Sequence, residues 1–95
     1  MSHITAERVR QFLLTKYVRP ISELGFDPTV IPDDFDLLLS GVIDSFEILE
    51  MVSSIEDEFR IQLDMATLDA EQITIIGPLS RYIADGAKAD FSSGR

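Results

Sequence analysis

The sequence has no cysteine, no tryptophan and only one histidine among its 95 residues. Without cysteine the chain cannot form a disulfide, a thiolate zinc site or a thiol nucleophile of its own. The one histidine, His3, lies close to the start of the sequence, so a Ser-His-Asp arrangement has no credible base. Glycine-rich phosphate-binding motifs are also missing. We therefore predict no catalytic residue and no metal site, and we expect a protein that is not an enzyme.

Long apolar runs are missing as well. None approaches the ~20 residues that a membrane-spanning helix needs, and residues 1–8 are polar, without the apolar centre of a signal peptide. We expect a cytoplasmic protein without a membrane span. The length favours one domain, which we place at residues 1–86, followed by a flexible C-terminal tail at residues 87–95.

Positive charge is scarce. The chain has 17 acidic and 8 basic residues, for a net charge of −9, which argues against a nucleic-acid partner. The segment 33–64 contains ten acids and a single base, Arg60, so the whole excess lies there. Two interpretations are open: a surface that attracts basic proteins, or an acidic helix that is simply solvated.

The first half of the chain is predicted to form one helix and a long connection. The helix covers residues 5–18, with Thr5 as its N-cap and Pro20 as its stop. Three prolines and two glycines make residues 20–43 a connection rather than a helix or strand. Long structureless loops are uncommon in small domains, so we expect its apolar residues to contact the core: Ile21, Leu24, Phe26, Ile31, Phe35 and Leu38.

The second half is predicted to be helical. The clearest helix is 45–59, with a core-facing stripe of Ile48, Val52, Ile55 and Phe59 that Leu49 and Met51 widen. A short helix is placed within 66–73. A last helix covers 75–85, with Pro78 in its first turn, an inner stripe of Ile76, Leu79 and Ile83, and its end at Gly86. These elements predict an all-α fold, a bundle of three main helices plus one short helix with a long first loop.

The start of the helix at 45–59 contains a candidate site. Asp44-Ser45-Phe46-Glu47 has the form of a capping box with Asp44 as the N-cap. Ser45 would then lie at the first helical position, beside free backbone N–H groups that favour a phosphate attached to its hydroxyl. The simpler interpretation is that Ser45 is only part of the cap.

The segment Gly41-Val-Ile-Asp44-Ser45-Phe46 resembles the Gly-x-x-Asp-Ser-(Leu/Phe) motif of the carrier-protein family, which comprises acyl carrier proteins and the related peptidyl and D-alanyl carriers. Residues 47–59 resemble the acidic second helix of that family without a gap, and the resemblance extends over roughly residues 5–85. It implies an acyl-carrier-protein-like bundle. It also implies that a transferase attaches 4′-phosphopantetheine from coenzyme A to Ser45, with Asp44 helping it to recognise the site.

The resemblance also implies a function and partners. The arm would carry acyl or ketide intermediates as thioesters and present them to other enzymes. Partners would be a phosphopantetheinyl transferase, a loading ligase or transferase, and synthase-type enzymes with basic patches. The protein itself is expected to be a monomer. The residues implied in partner recognition are Phe46, Glu47, Ile48, Glu50, Glu56 and Asp57.

Two alternatives stay open. Phe46 occupies a position where fatty-acid carriers usually have leucine, and phenylalanine there is similar to D-alanyl carriers, so the cargo could be an aminoacyl unit. The second alternative is a cofactor-free acidic helical module that docks on a basic protein.

Overall fold

Helices make up the regular structure of residues 4–64 and 71–93, the part of the chain that a computed structural model describes, with residues 86–93 described by their backbone alone. Helix α1 spans Ala6–Lys16, α2 spans Val18–Glu23, a 3₁₀ helix spans Pro28–Val30, α3 spans Glu47–Phe59 and α4 spans Ile76–Ser93. The described residues form no strand beyond an isolated antiparallel bridge between Asp36 and Ile75. For this part of the chain the predicted all-α class is confirmed.

The break between α1 and α2 lies at Tyr17. Thr5 caps α1 as predicted, because its side-chain oxygen accepts a hydrogen bond of 3.2 Å from the N–H of Arg8. The predicted stop at Pro20 is wrong, since α2 runs through this residue. Pro20 has no N–H for the carbonyl of Lys16, and its ring would clash with that carbonyl in a continuous helix. The chain therefore breaks three residues earlier, and Pro20 falls in the first turn of α2.

The core lies between α1, α3 and α4. Helix α1 packs along α4 and runs antiparallel to α3, because Lys16 meets Glu50 while the rings of Phe12 and Phe59 are 5.6 Å apart. The predicted inner stripe of α4 is fully buried, whereas Ile48 and Phe59 are only partly buried. The buried hydrophobic cluster consists of Val9, Leu13, Leu14, Tyr17, Ile21, Ile31, Phe35, Leu37, Val42, Ile43, Met51, Val52, Ile55, Ile73, Ile76, Leu79 and Ile83.

The connection before α3 contacts the core through a different set of side chains than predicted. Ile21, Ile31 and Phe35 are buried as expected and Leu38 is partly buried, but Leu24 and Phe26 are exposed. Phe26 packs edge-on against the outer side of Phe35, with ring centroids 5.0 Å apart. Leu37, Val42 and Ile43, which were not predicted to contact the core, are buried.

Backbone hydrogen bonds fasten this connection to the start of α4. The N–H of Leu37 donates to the carbonyl of Thr74 at 2.8 Å, and the N–H of Ile76 donates to the carbonyl of Phe35 at 3.0 Å. These bonds satisfy polar groups that would otherwise be buried without partners. They also fix the position from which the chain continues toward α3.

Asp33 makes a second attachment to both neighbouring helices. Its carboxylate pairs with Arg10 of α1 at 3.3 Å and with Arg81 of α4 at 2.8 Å, and its carbonyl accepts from the N–H of Gly77 at 2.8 Å. A Cβ at Gly77 would lie 2.6 Å from the Asp33 Cγ, so only glycine allows this close approach.

Helix α4 continues beyond its predicted end. The predicted stop at Gly86 is wrong, because the helix runs to Ser93. A glycine costs only about 1 kcal/mol in a helix, and the residues that follow, 87–89, are the strong helix formers Ala-Lys-Ala. The flexibility predicted for residues 87–95 stays a prediction, and residues 94–95 lie outside the described part.

The described residues contain a short helix that was not predicted, α2. Of the predicted segment 66–73, residues 66–70 lie outside the described part, and residues 71–73 belong to a turn. None of the helices described is both long and apolar enough to cross a membrane.

Candidate functional site

The turn that leads into α3 is held by two reciprocal hydrogen bonds. The N–H of Glu47 donates to Asp44 Oδ1 at 2.9 Å, and the N–H of Asp44 donates to Glu47 Oε1 at 2.9 Å. The two hydrogen bonds of the predicted capping box are therefore present, but the N-cap position of α3 is Phe46 and not the predicted Asp44. The predicted first helical residue, Ser45, is two positions too early, since the Glu47 N–H also bonds the Asp44 carbonyl at 3.1 Å in a tight i to i+3 turn. Ser45 lies within this turn.

Ser45 is exposed at the surface. The chain reaches it through Gly41, whose φ of +91° favours glycine. A Cβ at Gly41 would meet only Leu24 Cδ1 at 3.9 Å, so the surroundings are open and the backbone alone requires glycine. The hydrogen-bonded turn therefore presents Ser45 at the surface, where another protein can reach it.

Exposed apolar side chains flank Ser45 in the sequence. Phe46 is 86% exposed, Leu49 is 63% exposed, and Leu39 in the preceding loop is 84% exposed. The prediction that Leu49 widens the core stripe is wrong, because it lies one position, about 100°, around α3 from the partly buried Ile48. The three-residue spacing of Phe46 and Leu49 could have indicated their shared face. Leu39 lies in a loop and gives no such periodic signal.

Four acids were predicted to recognise partners, and we call Glu47, Glu50, Glu56 and Asp57 the acidic surface of α3. Glu47 is part of the cap. Glu56 Oε2 accepts a hydrogen bond of 2.8 Å from the N–H of Leu63, which ties the chain after α3 back to the helix. Asp57 is exposed, and no described residue hydrogen-bonds to its side chain. Glu47 and Glu56 thus also stabilise the fold. The predicted capping box indicated this role for Glu47, but no pattern in the sequence indicated it for Glu56.

Glu50 has partners on two elements. Its Oε2 accepts from Ser54 Oγ at 2.8 Å and from Lys16 Nζ of α1 at 3.1 Å. The hydrogen bonds from Ser54 and Lys16 lower the pKa of Glu50 below its ordinary value. The spacing of Glu50 and Ser54 is readable from the sequence, but the contact with Lys16 depends on how α1 packs against α3.

Tyr17 lies behind this ion pair. Its Oη is buried and accepts or donates no hydrogen bond among the described residues. The Nζ of Lys16 lies 5.4 Å from its ring centroid. Burial, followed by the charges of Glu50 and Glu47, raises the pKa of Tyr17 well above its ordinary value. The hydroxyl is therefore neutral at physiological pH.

One open cavity of about 460 Å³ lies elsewhere, between α1, α2 and the 3₁₀ helix. It is lined by Arg10, Gln11, Leu14, Thr15, Val18, Pro28 and Thr29. None of the predicted site residues lines it. Within the described residues, no three histidines, aspartates or glutamates are grouped as ligands for a metal ion.

The structure brings the predicted site residues together at one helix. Asp44, Ser45, Phe46 and Glu47 form the turn, and Ile48 and Glu50 follow in the first turn of α3. Glu56 and Asp57 lie near the end of α3, about 10 Å beyond Glu50 along the axis. In comparisons with models of protein families, with curated proteins and with solved structures, the chain has no significant match.

Proposed function

We propose that this protein is an acyl carrier protein, which carries acyl or ketide intermediates as thioesters on a 4′-phosphopantetheine arm attached to Ser45. One observation carries the proposal: an exposed serine hydroxyl is held in a rigid turn at the start of an acidic helix. In this function the protein performs no catalysis of its own.

The residues around Ser45 fit such an arm. Its hydroxyl is accessible, and the first turn of α3 favours a negatively charged phosphate nearby. In the attachment, the Ser45 oxygen forms a bond to the phosphorus of the pantetheine phosphate in coenzyme A. The bond from that phosphorus to the anhydride oxygen would break, adenosine 3′,5′-bisphosphate would leave, and the transferase would accept the hydroxyl proton.

When bound, the arm supplies a thiol that holds cargo as a thioester, which a chain without cysteine cannot do alone. The contribution of the protein is to position Ser45 and to raise the effective concentration of the cargo at each partner enzyme.

The acidic surface of α3 and the exposed Phe46 and Leu49 support contact with basic partners that also have apolar groups. These partners are a phosphopantetheinyl transferase, a loading ligase or transferase, and synthase-type enzymes, met by a cytoplasmic monomer. Exposed charges act mainly on the rate of encounter, which suits a protein that must leave each partner again. Phe46 leaves aminoacyl cargo, such as D-alanine, as the alternative within this class.

Incubation with coenzyme A and a promiscuous phosphopantetheinyl transferase tests the proposal. We expect the intact mass to increase by one phosphopantetheine in the wild type and in Ser53→Ala, a control for an exposed serine on the same helix. Ser45→Ala is expected to gain no mass. No gain in the wild type would refute the proposal, and a gain that survives Ser45→Ala would move the site elsewhere.

A cofactor-free interaction module is the second candidate, favoured by the 86% exposure of Phe46 beside the acidic surface. It predicts that Ser45→Ala binds its basic partner as well as the wild type does and that the protein is unmodified in cells. A carrier predicts modification in cells and loss of all cargo in Ser45→Ala.

A further inference from the structure

Lys16 occupies the point where α1 meets the acidic surface of α3. We infer that Lys16 shields Glu50 and so lowers the affinity of this surface for basic partners, an inference that rests on the proposed function. The shield is a contact within the chain that a partner must displace or avoid.

The geometry holds the ammonium group in place. Lys16 is the last residue of α1, and its side chain is 24% exposed, compared with 59% for Glu50. Its Nζ donates to Glu50 Oε2 at 3.1 Å and lies 5.4 Å from the ring centroid of Tyr17. The ring attracts a cation near its face, so two contacts keep the charge beside Glu50.

A basic partner meets two effects at this position. Its cation must compete with Lys16 for the carboxylate of Glu50, and it is also repelled by the ammonium that is already there. Segment 33–64 contains only one base of its own, Arg60, which lies ten residues from Glu50 at the other end of α3. Lys16 is therefore the basic residue that contacts the acidic surface near its start, at Glu50.

The expected effect of this shielding on affinity is small enough for partners to bind and large enough to be measured. Exposed ion pairs change an equilibrium by about two- to five-fold. For a carrier, such a contact keeps complexes short-lived, because the ion pair between Lys16 and Glu50 re-forms whenever the partner's cation moves away from Glu50.

The test compares three variants of the full chain. Lys16→Met removes the charge and keeps an apolar stem of similar length, and Lys16→Arg keeps a cation at the position. Arg8→Gln removes the same unit of charge near the start of α1, about 12 Å along the helix from Lys16. Circular dichroism first establishes that all three variants are folded.

Binding of a hexalysine peptide is then measured by calorimetry at low and high salt. Lys16→Met is expected to bind about two- to five-fold more tightly than the wild type at low salt, with a smaller difference at high salt. Lys16→Arg should bind as the wild type does, and Arg8→Gln should change binding less than Lys16→Met. Carboxyl NMR should show a higher pKa for Glu50 in Lys16→Met. Equal binding by Lys16→Met and the wild type, or an equal gain in Arg8→Gln, would overturn the inference.

Loading of the same proteins by a phosphopantetheinyl transferase separates this inference from the proposed function. If the wild type is loaded but Lys16→Met binds hexalysine no better, the carrier function stands and shielding by Lys16 is wrong. If the wild type is not loaded but Lys16→Met binds more tightly, the carrier function is wrong and the shielding of Glu50 stands.

Discussion

At the scale of single residues, the acids next to Ser45 stabilise the turn, and under the proposed function they also contribute to recognition. Asp44 and Glu47 close the turn through a pair of 2.9 Å hydrogen bonds, while their positions also suit recognition by a transferase. If the proposed function is right, we expect a substitution at either residue to change stability as well as binding. Binding experiments on these two positions need a measurement of folding beside them.

Asp44→Ala is expected to lower the free energy of unfolding by about 1 kcal/mol, because the N–H of Glu47 loses its side-chain acceptor. Urea denaturation measures the change. Asp57→Ala is the matched control, since Asp57 is an exposed acid on the same helix with no cap to lose, and its effect should stay within about 0.5 kcal/mol. An equal loss in both variants would contradict the role of Asp44 in the cap.

At the scale of elements, α3 ends at a strained residue. Arg60 has φ of 57° and ψ of 50°, the left-handed conformation that glycine usually adopts after a helix. The N–H groups of Arg60 and Ile61 both bond to the carbonyl of Glu56. In this conformation, close contact between the Cβ and the following carbonyl oxygen destabilises the residue by roughly 1–2 kcal/mol. The two hydrogen bonds to Glu56 hold Arg60 in this conformation.

Arg60→Gly should raise the free energy of unfolding by about 0.5–1 kcal/mol, because the left-handed strain of Arg60 is removed and part of the gain is offset by the freedom of glycine in the unfolded chain. Thermal unfolding measures it. Arg60→Ala removes the same charge but keeps the Cβ, so it should show no such gain. A similar gain in Arg60→Ala would attribute the effect to charge instead of backbone strain.

Local sequence patterns predicted most of the helices and their caps, but few of the contacts between helices. The cap at Thr5, the capping box at Asp44 and the buried stripe of α4 depend on residues three or four positions apart, and all are found. Pro20 predicts that a helix is interrupted, but a proline does not specify how many residues before it the interruption lies. The bond from Leu63 to Glu56 and the pair between Lys16 and Glu50, 34 residues apart, depend on chain reversal and helix packing, which periodicity does not specify.

At the scale of the whole molecule, basic side chains on α1 and α4 have partners among the acids. Arg10 and Arg81 share Asp33, and Lys16 pairs with Glu50. These pairs connect elements that are distant in the sequence. The excess of −9 is concentrated in segment 33–64, which contains Ser45.

The buried hydroxyl of Tyr17 makes the whole fold sensitive to alkali. Because its folded pKa is raised, the folded state keeps a proton that the unfolded state loses near pH 10. The contribution of Tyr17 to stability is then fully present below about pH 10 and falls as the pH rises above it. We expect Tyr17→Phe to keep its helical circular dichroism to higher pH than the wild type. Tyr82→Phe, a change at the only other tyrosine, removes a hydroxyl that donates to the Asp64 carbonyl at 3.5 Å, and its alkaline unfolding should shift less than that of Tyr17→Phe. Identical alkaline unfolding of Tyr17→Phe and the wild type would contradict this assignment.

The most direct measurement of the carrier function is peptide mapping by mass spectrometry of the protein purified from its own cells. We predict that the peptide containing Ser45 is heavier by one phosphopantetheine, with or without cargo on its thiol. We also predict that no other serine carries this group. A protein whose Ser45 peptide is entirely unmodified, or whose phosphopantetheine lies on another residue, would contradict it.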